Sequence, residues 1–415
     1  MSVYGTTPNT FEPLKSPDFS RYLISRFFFI ITLTMQATII SWKVYDITKD
    51  PFSIGLIGLI EFVPAFLMAF YSGYLVDKAD RRRLLLYSII GNLVCTGILC
   101  FITSNYASSK FSQPTILLGI YGVIFSTGIL RAFSGPSSFA LVTHLVPKNM
   151  IAQATTWHSG IWQVAAVTGP AIAGLLYASV GITFTFYGML VAMAIAATGV
   201  FFIRKNSVIV HQQKEKFLLS IKKGFQFVWR TREVLGALSL DLFAVLFGGA
   251  TALLPVFADK ILHVGPQGLG MLRSAPAMGS VVILVLLTFR PMRRNQGRIM
   301  LACVAGFGCM MIIFGLSTEF WLSMFALFIS GMLDGVSVLV RSTILQLKTP
   351  DEMRGRVAAL NSIFIMSSNE LGAFESGFTA KLMGTVTAVV FGGCMTVAVV
   401  ITTWFKAPSL RKLKY

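Results

Sequence analysis

The chain has 415 residues, 55% of them hydrophobic and 13% charged, with a formal charge of +18 and a mean hydropathy of +0.73. Soluble domains are roughly a quarter charged and far less apolar, so an ordinary soluble protein is excluded. The basic excess would point a soluble chain toward nucleic acid, but here it sits in short loops between apolar runs, and no nucleic-acid partner is expected. After the polar segment 1–19, Ser16-Pro17 opens a first apolar run at 20–45, with proline in the first helical turn. Asp50-Pro51 opens the second in the same way, at 52–76. Ten more follow, at 84–104, 114–143, 155–179, 182–203, 236–260, 267–289, 298–316, 321–346, 355–381 and 385–405. About 20 apolar residues cross the hydrocarbon core as a helix, which satisfies its own backbone there. The expected fold is therefore an all-α polytopic membrane protein with twelve transmembrane helices.

The run Gly73-Tyr74-Leu75-Val76-Asp77-Lys78-Ala79-Asp80-Arg81-Arg82-Arg83 joins the second and third spans by a tight, charge-dense hairpin. Counted by loop, 24 Lys and Arg fall at 78, 81–83, 148, 204–232, 290–298, 348–356 and 406–414, against 5 (Lys43, Lys49, Lys110, Lys260, Lys381) on the opposite side. Positive charge marks the cytoplasmic side, so both termini are expected in the cytoplasm. The single long connection, 204–235, splits the spans into halves 20–203 and 236–405, and 406–415 forms a basic tail. Within that linker Phe217, Ile221, Phe225 and Val228 share one helical side, the pattern of a helix lying at a membrane surface. The five cysteines lie inside apolar spans without metal-ligand spacing, so they read as small core residues and no metal is expected. Thr349-Pro350-Asp351-Glu352 reads as a capping box. No cleavable signal peptide is expected at the first span.

The halves repeat one another. A shift of 203 pairs Gly128 with Gly331, Pro147 with Pro350, Gly169 with Gly372, Gly174 with Gly377 and Gly181 with Gly384; a shift of 212 pairs Gly58 with Gly270 and Pro64 with Pro276. Two six-helix halves in parallel repeat are an arrangement of secondary transporters, with a site between the halves.

Ionisable side chains near the bilayer centre cost at least ~2.5–3.5 kcal/mol each, so each needs a reason. The chain places Arg26, Glu61, Arg131, Asp241, Arg273, Asp334, Arg341, Glu370 and Glu375 inside spans. The duplication superposes Arg131 on Asp334 and Glu61 on Arg273, opposite charges at equivalent sites. They either pair structurally, for example Glu61 with Arg131 and Arg273 with Asp334, or exchange partners and protons during transport. Carboxylates are the usual proton carriers, and Glu61, Asp241, Asp334, Glu370 and Glu375 are the candidates. His144 and His158 lie near helix ends and read as surface or capping groups.

These residues resemble those of the major facilitator superfamily. Gly73-x-Leu75-x-Asp77-Lys78-x-Asp80-Arg81-Arg82 is similar to its signature between helices 2 and 3, with Asp80 where glycine is commoner. Arg131-x-x-Ser134-Gly135 resembles its helix-4 signature, whose arginine is associated with proton coupling. Gly169-Pro170-x-x-Ala173-Gly174 resembles the helix-5 antiporter signature, with Ala165 and Ala173 replacing glycines. Trp42-x-Val44-Tyr45-x-Ile47-Thr48, Gly55-Leu56-Ile57-Gly58-Leu59 and Arg354-Gly355-Arg356-Val357 are similar to the bacterial branch of the enterobactin exporter and drug efflux proteins.

The resemblance implies a monomeric multi-pass protein of the bacterial cytoplasmic (inner) membrane. It would export an amphipathic small molecule, siderophore or drug (multidrug efflux), by proton antiport, with the proton gradient as energy source and no cofactor. Arg26, Gln36, Arg131, Asp241, Asp334 and Arg341 are expected to line the substrate cavity, with Arg131, Asp334 and Arg341 suiting an anionic or catecholate-like cargo through charge-assisted hydrogen bonds. Glu61, Arg273, Glu370 and Glu375 are coupling or inter-half gate candidates, and Gly73, Asp77, Arg81 and Arg82 a cytoplasmic latch. Gly169, Pro170 and Gly174 would allow bending and close helix contact. A lysophospholipid flippase of the same fold is the alternative within transport, and a non-transporting receptor or scaffold the alternative outside it. No nucleophile–base set or phosphate loop is present in the sequence, so no enzyme is expected.

Overall fold

The computed structural model describes residues 10–204, 217–290, 292, 295–350, 353–411 and 413, which are helices and short connections without a strand. In the first repeat these are α1 (Pro17–Thr48), α2 (Pro51–Lys78), α3 (Arg81–Ile102), the short α4 (Asn105–Lys110), α5 (Gln113–Leu145) and α6 (Ile151–Phe201). The linker carries α7 (Phe217–Arg230). The second repeat has α8 (Arg232–Gly248), α9 (Leu254–Val256), α10 (Gly265–Phe289), α11 (Gln296–Leu316), α12 (Phe320–Lys348), α13 (Arg354–Met383), α14 (Thr385–Lys406) and α15 (Pro408–Arg411).

The starts follow from local chemistry. The Ser16 hydroxyl accepts from the Phe19 amide at 3.5 Å, and Asp50 Oδ1 from the Phe52 amide at 3.1 Å. Asp80 caps α3, accepting from the Arg82 amide at 2.9 Å, which gives this departure from the family signature a physical use. The expected capping box Thr349–Glu352 falls partly outside the described residues, which lack Asp351 and Glu352. Helix α13 begins at Arg354, and the Met353 amide donates to the Pro350 carbonyl at 2.9 Å.

The duplication survives in backbone detail. Gly181 has φ 82° and ψ 174° inside α6; its repeat partner Gly384 has φ 88° and ψ 155° between α13 and α14. Only glycine adopts such angles readily, and each bends the chain where one span gives way to the next. Among the described residues, ten helices are apolar and long enough to cross a membrane. The count reaches the expected twelve because α6 comprises two spans joined at Gly181 and because α13 is too polar for that test. Its Asn361, Asn369, Glu370 and Glu375 lower its hydropathy.

The chain clusters into two compact units whose borders cut through α1, α2 and α6. Unit 1 comprises Met1–Ala37, Val63–Gly169 and Val180–Gln212; unit 2 comprises Thr38–Phe62, Pro170–Ser179 and Gln213–Tyr415. Two stretches of the first repeat, Thr38–Phe62 and Pro170–Ser179, thus cluster with the second. Glycine explains it: in unit 2 a Cβ on Gly174 (α6) would stand 3.0 Å from the Gly270 Cα (α10), and one on Gly377 (α13) 2.7 Å from the Gly55 Cα (α2). Such close crossings are the packing mode of membrane helices. Unit 1 has its own core of Phe19, Tyr22, Leu85, Leu141, Met193 and Val200. Unit 2 has two, one around Phe257, Phe314 and Leu272, the other around Leu238, Leu301 and Val340.

The linker helix divides its apolar residues. Val228 is buried among unit 2 residues, whereas Phe225 and Trp229 are exposed and stacked, with centroids 5.8 Å apart. The Phe217 and Ile221 side chains lie outside the described residues.

Candidate functional site

In unit 1, α1, α5 and α6 converge on a buried polar cluster. The Tyr22 hydroxyl lies 2.7 Å from His158 Nδ1 and 2.7 Å from the Ser138 hydroxyl. Arg26 donates from Nη1 to Ser138 Oγ at 2.9 Å and from Nε to the His158 carbonyl at 3.0 Å. The pattern arises because Tyr22 and Arg26 are one helical turn apart on α1 and so share a face. His158 is buried, unlike the surface or capping role expected from its position. Deeper in α1, the buried Gln36 accepts from Thr96 Oγ1 of α3 at 3.0 Å. Arg131 lies exposed on α5.

Unit 2 collects the remaining intramembrane charges into two groups. In the first, Arg273 on α10 interacts electrostatically with Glu370 on α13 and Glu61 on α2, and its Nη1 donates to Ser41 Oγ of α1 at 2.9 Å. The coupling candidates Glu61, Arg273 and Glu370 are thus linked electrostatically within unit 2. Glu375 is half-buried on the same helix as Glu370.

The second group lies on α8 and α12. Arg341 and Asp241, both buried, form an ion pair. Beside it a small cleft, with room for about one water-sized group, is lined by Asp241, Ala244 and Val245 of α8, Val304 and Phe307 of α11, and Leu333, Asp334 and Ser337 of α12. Desolvation is the influence felt by the Asp334 carboxyl, which has no hydrogen bond or ion pair among the described residues.

The sequence matches the family described as transmembrane secretion effector, of the major facilitator type, over residues 8–414. The chain belongs to that family of major facilitator transporters. Relatives include the MFS-type transporter YfiS of Bacillus subtilis, 26% identical over 88% of this chain and 87% of that protein. The enterobactin exporter EntS of Shigella boydii is 24% identical over 91% and 88%. The staphyloferrin A transporter of Staphylococcus aureus is 26% identical over 60% of this chain and 61% of its own length. Among solved structures, the D-xylose-proton symporter superposes with a TM-score of 0.74 at 12% identity, covering 97% of this chain and 100% of that one; at this identity the likeness speaks to the fold.

The transporter's signature residues have individual roles in the fold. Arg82 donates to the last carbonyls of α6, from Nε to Val200 at 3.1 Å and from Nη2 to Phe201. It caps a helix C-terminus, where a cation is favoured. Arg81 lies beside it at the start of α3. Helix α2 runs through Gly73 and Asp77, whose side-chain surroundings lie outside the described residues. Gly169 packs its open side against Thr34 of α1, Pro170 lies inside α6, and Gly174 crosses Gly270.

One constellation escaped sequence reasoning. Within unit 2, Lys49, after α1, lies 3.2 Å from Asp46 and 3.3 Å from Asp259, and Lys381 of α13 lies 3.5 Å from Asp50. Lys381 also stands over the Phe52 ring at 4.8 Å. Burial disfavours the Lys49 ammonium, but Asp46 and Asp259 outweigh it and hold the pKa above the ordinary lysine value. These residues look like ordinary loop charges in the sequence. The available hint was that Lys49, Asp50, Asp259 and Lys381 all fall at span ends on the side poorer in basic residues.

Proposed function

We propose that this transporter is a secondary active exporter of an amphipathic small molecule, siderophore-like or drug-like, driven by proton exchange across a bacterial cytoplasmic membrane. The observation that carries the reading is how first-repeat segments join the second repeat inside unit 2. They meet through exposed ion pairs, Lys49–Asp259 and Lys381–Asp50, and through the crossings of Gly174 on Gly270 and Gly377 on Gly55. Exposed pairs contribute only ~0.2–1 kcal/mol each, and facing glycines present no interlocking side chains. Such a junction parts and re-forms at low cost, as alternating access requires. The relatives named for enterobactin export and staphyloferrin A transport support the cargo class. The positive-inside asymmetry supports cytoplasmic termini, and a monomer suffices because both repeats lie in one chain.

The test is accumulation of a fluorescent amphipathic drug in everted vesicles under an imposed pH gradient. Uptake above that of vesicles lacking the protein is expected, with loss in Arg131→Ala at unchanged membrane abundance. Undiminished proton-driven uptake in Arg131→Ala would refute the role given to that arginine. Movement of fluorescent lysolipid without any gradient would replace the exporter with a lipid flippase.

A further inference from the structure

The α8–α11–α12 cleft has a definite sign of charge. Arg341, which the sequence offered as an anion ligand, is committed to Asp241. With that pair neutral, Asp334 leaves the cleft one negative charge in excess. Ser337, one turn further along α12, adds a buried hydroxyl with no hydrogen bond to the described residues. The rest of the lining is apolar (Ala244, Val245, Val304, Leu333) apart from the Phe307 ring. An unpaired carboxylate in such surroundings carries a large desolvation cost that a positive partner relieves. An aromatic face beside it attracts the same partner through its quadrupole.

We propose that this cleft binds the cationic head group of the transported molecule, an alkylammonium whose charge pairs with Asp334 beside the Phe307 ring. The proposal rests on the transport reading above and narrows its cargo from amphipathic molecules in general to positively charged ones. The space beside Asp334 holds about one water-sized group, far less than a site for a whole drug-sized ligand. It therefore receives the ammonium group itself and leaves the carbon body of the cargo outside. Ser337 Oγ accepts a second N–H of a primary ammonium, so the site favours primary over quaternary amines.

The test uses the full chain in lipid nanodiscs and two small probes of similar shape and opposite charge, phenethylammonium and 3-phenylpropionate, titrated by calorimetry. Phenethylammonium is expected to bind at least tenfold more tightly than 3-phenylpropionate. Asp334→Asn removes that preference, and Glu319→Gln, exposed just before α12 and outside this cleft, leaves it intact. If Asp334→Asn does not fold, Phe307→Leu serves instead: it keeps the apolar volume and should weaken the cation alone about threefold. Equal binding of the two probes, tighter binding of the anion, or a preference unchanged by Asp334→Asn overturns the proposal. Vesicle transport separates this from the broader reading. A protein that binds the cation yet moves no cargo defeats the transport reading and leaves the site standing. Proton-driven export of an anionic compound, indifferent to Asp334→Asn, defeats the site and leaves the transport reading standing.

Discussion

Arg341 of α12 and Asp241 of α8 neutralise one another in the interior of unit 2, each less than a tenth exposed. Removing one partner strands the other charge, which costs about 3–5 kcal/mol, whereas replacing both with apolar residues of similar volume is often neutral or better. Arg341→Met should therefore lower the thermal unfolding temperature of the purified protein markedly. The double variant Arg341→Met, Asp241→Leu should recover most of the loss. A double variant as unstable as the single one would show that the pair is held by more than mutual neutralisation.

The crossing of Gly377 on Gly55 admits no side chain without displacing backbone, since a Cβ would sit 2.9 Å from the Pro51 carbonyl oxygen. Overpacking of this kind costs about 1–3 kcal/mol. Gly377→Val should therefore populate the described arrangement roughly tenfold less or lower still, and transport should fall with it. Gly188→Val makes the matched control, because a Cβ there meets nothing within 4 Å. Equal transport by both variants would remove the crossing from the transport cycle.

The Lys49–Asp259 pair lends itself to charge exchange. Asp259→Lys should open this end by up to about fivefold in population, the equivalent of ~1 kcal/mol, and adding Lys49→Glu should reverse it. Alkylation of a cysteine at the buried Ile54, in a background without the native cysteines, reads the opening. The folded-state pKa of Lys49 is raised, so its contribution is complete below the ordinary lysine value near 10.5. It is lost only as pH rises past the raised value. Between pH 7 and 9 the lysine side of the contact should accordingly add no pH dependence to the alkylation rate.

Tyr22→Phe deletes the hydroxyl shared by Ser138 and His158 while keeping the ring. Stranding a buried polar partner costs about 1–3 kcal/mol, and the loss should appear as reduced thermal stability. His158→Phe in the same background should cost little more, since the hydrogen bond it would break is already gone. Strictly additive losses would mean the two residues act separately.

What the sequence disclosed and what it hid divide along physical lines. Span positions, the duplication and the Gly181–Gly384 correspondence rest on composition and spacing, which the amino-acid order carries directly. Which charge faces which depends on helix rotation and on contacts between distant segments. Arg273 thus meets Glu61 and Glu370, and Arg341 meets Asp241, pairings that a repeat alignment cannot choose. His158 shows the same limit: near a helix end by number, it is buried because Tyr22 of α1 packs against it. Asp80 departs from the family signature in letters yet supplies an N-cap that local sequence rules would identify.

The polarity of α13 bears on how the protein is made. A segment carrying Glu370, Glu375, Asn361 and Asn369 gains too little from lipid to leave the translocation channel by itself, because each charge costs ~2.5–3.5 kcal/mol at the helix centre. Arg273 is synthesised before it, on α10, and already awaits Glu370. Gly372 fits against the Val245 and Leu246 carbonyls of α8, also made earlier. Biogenesis of the second repeat is therefore ordered: α13 enters the bilayer against helices already there, and α14, more apolar, seals it in afterwards.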